Sequence, residues 1–125
     1  MSNHLHLIAS SDENNRISDI IRDFKKYTAK KIIHEMETIN ESRKDWVLSK
    51  FEFAGKHLKR ISKYKFWKDD NHAITLDGTT MLLQKLEYIH QNPVKADIVD
   101  EPQYYKYSSA IDYCDGKGLV QMAKI

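Results

Sequence analysis

His4 and His6 stand one residue apart in the stretch MSNHLHLI. Side chains of an extended segment alternate between faces, so the two imidazoles share one side and Leu5 and Leu7 the other. Far downstream, in LEYIHQNP, Tyr88 and Asn92 are four residues apart and so occupy one helix face, a turn from each other. Two imidazoles and one amide oxygen can hold a divalent cation while leaving positions open for a phosphate oxygen. Such a cation is a Lewis acid that offsets charge building on phosphorus in a transition state. The Tyr88 phenol is then the candidate nucleophile. A free phenol titrates at about 10 and needs a nearby cation to ionise. Both spacings are common by chance, so a plainer reading stays open on the residues alone. It has surface histidines near a terminus, a tyrosine at the edge of a helix, and an asparagine serving the helix end, as Asn does well.

The elements that would position these groups are readable from periodicity. His4 to about Ala9 reads as a strand, and SSDENN as a polar turn. Ile17, Ile20, Ile21, Phe24, Thr28 and Ile32 recur at helical spacing, predicting a helix to about Ile39 that Ser18 and Asp19 help to start. NESR is the expected break. Val47, Phe51, Ala54, Leu58 and Ile61 predict a second amphipathic helix, weakened by Gly55. Ala73 to Leu76 reads as a short strand stopped by the Asp77-Gly78 turn. Thr79 or Thr80 then caps a helix carrying Leu82, Leu83, Leu86 and Ile89, with Pro93 expected to stop it. His90 falls on a different face from Tyr88 and reads as packing. A short helix is expected from about Ser108.

With 41% hydrophobic residues in 125, the chain can build one core. No stretch reads as a signal peptide or a membrane span, and the single Cys114 cannot form an internal disulfide. A reducing, cytoplasmic setting without membrane contact is the expectation. Net charge is only +2, but nine Lys/Arg face three acids between Glu41 and Lys68. Trp46, Phe51, Phe53, Tyr64, Phe66 and Trp67 are interleaved with them. Basic residues mixed with aromatics suit a phosphate backbone with bases to stack on. The candidate DNA contacts are Lys25, Lys26, Lys30, Lys56, Lys59, Arg60, Lys63 and Lys65. On charge alone a solvated helical face is the better reading, with Phe66 and Trp67 serving a core. Tyr27 is a rival nucleophile, but lacks an amide or acid four residues on.

NHLH followed by Leu-Ile resembles the histidine-hydrophobic-histidine signature of HUH single-strand endonucleases. EYIHQNPVKADIV, followed by EPQYYKYSSAIDY, is similar to the C-terminal signature of single-tyrosine transposases, closest to the REP-associated tyrosine transposases. FWKDDNH resembles the segment preceding their catalytic helix, with His72 near a histidine of that region. The resemblance runs from Asn3 to about Leu119. It implies that His4, His6 and Asn92 are metal ligands, usually for Mg2+ or Mn2+, and that Tyr88 is the nucleophile. The implied chemistry is cleavage of single-stranded or hairpin DNA through a 5′-phosphotyrosine link, with a free 3′-hydroxyl that can rejoin strands.

The implied fold is a ferredoxin-like α/β sandwich of the α+β class, in a single domain spanning residues 1–125. In relatives a strand-helix-strand segment precedes the histidine motif, and here the motif starts at residue 3. The expectation is therefore an incomplete sheet with a mostly helical remainder, an exposed strand edge, and a homodimer along that edge. Two rival functions follow from the same residues: a catalytically inactive, truncated DNA-binding remnant, and a helical interaction protein.

Overall fold

The structure, a computed structural model, describes residues 3–39 and 42–123. It holds three α-helices, α1 (Ile17–Thr38), α2 (Lys44–Gly55) and α3 (Thr79–Lys95), followed by two short 3-10 turns at Pro102–Tyr104 and Ser109–Tyr113. The expected ferredoxin-like sandwich is not there: among the described residues there is no strand. The segments expected as strands, His4–Ala9 and Ala73–Leu76, carry no regular structure. A strand exists only as one member of a ladder, and neither segment has a ladder partner among the described residues. Leu5, Leu7 and Ile74 consequently stay more than half exposed.

The chain forms two compact units. One joins residues 1–8 to residues 74–125, and the other is Ala9–Ala73. In the second unit, α1 packs on α2. Here α2 stops at Gly55, short of the expected Ile61, because the chain folds back across that glycine. A Cβ at Gly55 would lie 2.8 Å from Ile61 Cγ2 and 3.1 Å from the Lys63 carbonyl. The return is pinned by the Lys65 N–H donating to the Phe51 carbonyl at 2.9 Å. Phe66 and Trp67 then form an aromatic cluster with Phe51 and Phe24, ring centroids 5.1–6.1 Å apart. The Trp67 indole N–H donates to Thr28 Oγ1 at 3.0 Å. These two aromatics are packing residues. Asn40 and Glu41 of the expected NESR break lie outside the described residues.

In the first unit, α3 packs against the Pro102–Tyr104 turn, which packs against the Ser109–Tyr113 turn. Gly78 precedes α3 at φ +85°, a conformation that favours glycine. No side chain caps this helix start, so neither Thr79 nor Thr80 plays the expected role. Pro93 does not stop α3 either: it is buried inside the helix, which runs to Lys95. The stop comes later. Asp97, at φ +52°, turns left-handed. Its N–H donates to the Val94 carbonyl at 2.9 Å, and the Ile98 N–H to the Pro93 carbonyl at 3.0 Å. That pair of bonds is a Schellman closure, which satisfies the last carbonyls of a helix.

The core is thin. Among the described residues the buried side chains are Ala110, Pro93 and His90. The protein exposes 10452 Å2, whereas two separate compact bodies of half its mass would together expose about 8,400 Å2.

Candidate active site

Each member of the expected constellation belongs to the first unit, and the unit brings them together. On α3, Tyr88 and Asn92 share a face. His6 reaches both: its Nε2 is hydrogen-bonded to the Asn92 amide at 3.1 Å, and its ring meets Tyr88 edge-on at 5.7 Å. His4 lies beside His6, ring centroids 5.1 Å apart. Its Nδ1 is hydrogen-bonded to Asn3 Oδ1 at 2.7 Å. When Nδ1–H donates in that bond, the His4 Nε2 lone pair is left for a ligand, the way an outer partner orients a metal-binding imidazole. Asn3 was not singled out from the sequence, although its place beside His4 is where such a partner would stand.

His6 titrates below the ordinary imidazole value of 6.5, first because burial disfavours its charged form and second because His4 repels it. A neutral His6 offers a lone pair on Nε2, and the Asn92 amide N–H can donate to it. Turned about its last torsion, the same amide would present its oxygen instead. Among the described residues no group of three His, Cys, Asp or Glu could hold a metal ion. The polar group beside His6 is the Asn92 amide.

Two cations lie over the Tyr88 ring. Lys85 Nζ lies 6.0 Å and Lys95 Nζ 5.7 Å from the Tyr88 ring centroid. Neither ammonium has a carboxylate partner among the described residues. They stand three residues before and seven residues after Tyr88, so helical spacing puts all three on one side. That signal was present in the sequence and was missed. His90 points elsewhere. It is buried, bonded to Ser109 Oγ at 3.0 Å and packed against Tyr113 at 5.2 Å. Burial holds its pKa below the ordinary value despite the opposing charge of Glu87. His90 is thus a packing residue, as expected.

Beside the imidazoles lies a cleft of about 490 Å3. His4, His6 and Asn92 line one part of it, and Leu5, Ile89, Pro93, Ile98, Tyr105 and Tyr107 the rest. Tyr88 is not in the wall; it meets the cleft through His6.

The eight basic DNA candidates all fall in the second unit, and they are not equivalent. Lys65 (2.6 Å) and Arg60 both pair with Asp69, whose carboxyl is held below its usual range chiefly by the hydrogen bond from Lys65. Lys25 donates to the Lys68 carbonyl at 2.9 Å and lies 6.0 Å from the Trp67 ring. Lys63 sits over Tyr64 at 4.6 Å, and Lys26 lies within the field of Asp23. Lys30, Lys56 and Lys59 are exposed without an ion pair among the described residues. Of this set, those three are the best placed to meet a phosphate backbone. His72 also belongs to this unit, exposed at φ +46° and paired with Asp70. Tyr27 is exposed on α1. No helix of the described residues is long and apolar enough to cross a membrane.

Comparison with curated proteins and with solved structures returns no match. A family model does match, that of IS200-like transposases, over residues 1–54. The matched residues include His4 and His6 and all of α1; the tyrosine helix lies beyond them. The match covers 54 of the 125 residues and makes that part of the chain similar to IS200-like transposases, without reaching the REP-associated detail of the resemblance.

Proposed function

We propose that this protein acts on DNA as a transposase through a single-tyrosine cleavage and joining site in its first unit. The single observation that carries the reading is His6 touching both Tyr88 and Asn92 across a sequence separation of more than eighty residues. Tyr88 is the nucleophile. Its phenol oxygen forms a bond to the phosphorus of a single-stranded or hairpin DNA phosphodiester, and the bond from phosphorus to O3′ breaks. The phenol proton goes to solvent, and O3′ takes one up as the free hydroxyl. The product is a 5′-phosphotyrosine, which a 3′-hydroxyl can attack to rejoin strands. Lys85 and Lys95 attract the phosphate to the phenol.

The donor set fits a divalent cation, Mg2+ or Mn2+: His4 through Nε2, His6 through Nε2, and Asn92 through its amide oxygen. Bound there, the ion would supply Lewis-acid stabilisation of the phosphate charge. Two nitrogen donors suit Mn2+ better than Mg2+, which prefers an all-oxygen shell. Leu5, Leu7 and Ile74 stand more than half exposed, and a second copy is the proposed cover for this apolar surface.

The testing experiment incubates the protein with labelled single-stranded DNA and Mn2+, then separates denatured species by mass. A covalent protein–DNA species that disappears in Tyr88→Phe supports the reading. DNA binding without any such species would make the protein a non-catalytic DNA-binding remnant.

A further inference from the structure

The cleft beside the histidine pair has a composition that phosphate chemistry alone does not require. Its imidazole part is polar, while Ile89, Pro93 and Ile98 make an apolar wall. Two tyrosines complete it, Tyr105 and Tyr107, with ring centroids 5.9 Å apart and planes at 74°. Tyr107 is 73% exposed, so its ring contributes little to the packing of the unit. The wall is built by the helix closure itself. Pro93 and Ile98 are the two ends of the hydrogen bond that terminates α3, so the apolar surface is fixed relative to Asn92, one residue before Pro93. At about 490 Å3 the cleft falls within the range of small-ligand sites, roughly 300–1,000 Å3.

We propose that this cleft is a nucleobase subsite, in which one unpaired base of single-stranded DNA stacks on Tyr107 next to the phosphate held near Tyr88. The inference rests on the DNA-cleavage reading above and adds a base-binding partner to it. Charge complementarity selects the occupant. Lys85 and Lys95 flank Tyr88, and Tyr88 meets the cleft through His6, so a ligand spanning both must be anionic at one end. At the other end it must present a flat face to a tyrosine and an apolar wall. An unpaired nucleotide has both properties. A duplex does not, because its bases are stacked inside. Every base has a π-face, so such a platform holds single strands with little regard to sequence.

The test uses the full chain carrying Tyr88→Phe, which prevents covalent capture. Fluorescence anisotropy compares three probes: a labelled thymidine oligomer, an abasic phosphodiester oligomer of equal length, and free thymidine monophosphate as competitor. Base stacking on an aromatic ring corresponds to roughly five- to 150-fold in affinity. The parent is expected to prefer the thymidine oligomer over the abasic one within that range. Tyr107→Ala should lose that preference while leaving abasic affinity unchanged, and Tyr107→Phe should keep it. Equal weakening of both oligomers by Tyr107→Ala, or no weakening of either, overturns the subsite. So does a parent with no preference or no binding, or a monophosphate that competes as tightly as the oligomer. The two readings fail separately. A base preference without any covalent species from Tyr88 removes the nucleophile and keeps the subsite; a covalent species without base preference does the reverse.

Discussion

Neutralising Lys85 and Lys95 isolates the part of DNA affinity that belongs to the tyrosine. Both ammonium groups lie near Tyr88, at 6.0 and 5.7 Å from its ring centroid; placing a phosphate about 6 Å from each sets the scale of their pull. At about 6 Å in a solvent-like dielectric each charge contributes about 0.7 kcal/mol. The pair therefore contributes about 1.4 kcal/mol, close to tenfold in affinity at low salt. Each phosphate contact with a single strand also releases counterions, giving a slope of about −0.7 in log K against log salt. The double variant Lys85→Gln/Lys95→Gln should flatten that slope by about 1.4. Both lysines carry their charge outside any ion pair among the described residues, so the fold should survive the change. The assay is anisotropy of a labelled single strand across a salt series, in a Tyr88→Phe background. An unchanged slope and affinity would refute the reasoning, since it would mean that no phosphate approaches the phenol. Lys30→Gln, Lys56→Gln and Lys59→Gln together give the matched comparison for the second unit.

Three further outcomes are expected. Because the folded pKa of His6 and of His90 lies below the unfolded value of 6.5, the unfolded chain binds more protons in the window just below 6.5. Stability should therefore fall as pH drops through 6.5 toward the lowered values and recover above it. Urea midpoints between about pH 5 and 8 check this, and a midpoint that rises on acidification contradicts it. Gly55→Ala should gain up to about 1 kcal/mol in helix propensity yet lose about 1–3 kcal/mol by forcing Ile61 and the Lys63 carbonyl away. The net loss is read from denaturant unfolding, and a stabilised variant would contradict the close approach. Sedimentation at micromolar protein should give the mass of two chains, because the apolar Leu5, Leu7 and Ile74 stand more than half exposed; a monomer at high concentration speaks against it.

The helices were legible in the sequence because their apolar periods are long. The 3.6-residue repeat from Ile17 to Ile32 gives α1 within a residue of its ends. The four-residue step from Tyr88 to Asn92 places both beside His6. The sheet was misread for a physical reason. Alternation in NHLHLI reports which way side chains point in an extended segment, but a ladder needs a second strand, and one segment cannot reveal whether its partner exists. Pro93 misled in a similar way. The rule that a proline ends a helix concerns the turn before it, whereas the end of α3 is set by the left-handed Asp97 four residues later. The basic run was legible as charge but not as chemistry. Composition cannot tell Lys65 and Arg60, spent on Asp69, from Lys56 and Lys59, which face solvent unpaired among the described residues.

The most direct test of the central claim is mass spectrometry of the protein after reaction with single-stranded DNA and Mn2+. The account predicts a phosphotyrosine on the peptide containing Tyr88, lost in Tyr88→Phe and strongly reduced in Asn92→Leu and in His6→Ala. A nucleotide found on any other tyrosine, Tyr27 included, or an adduct that survives Tyr88→Phe, would contradict it.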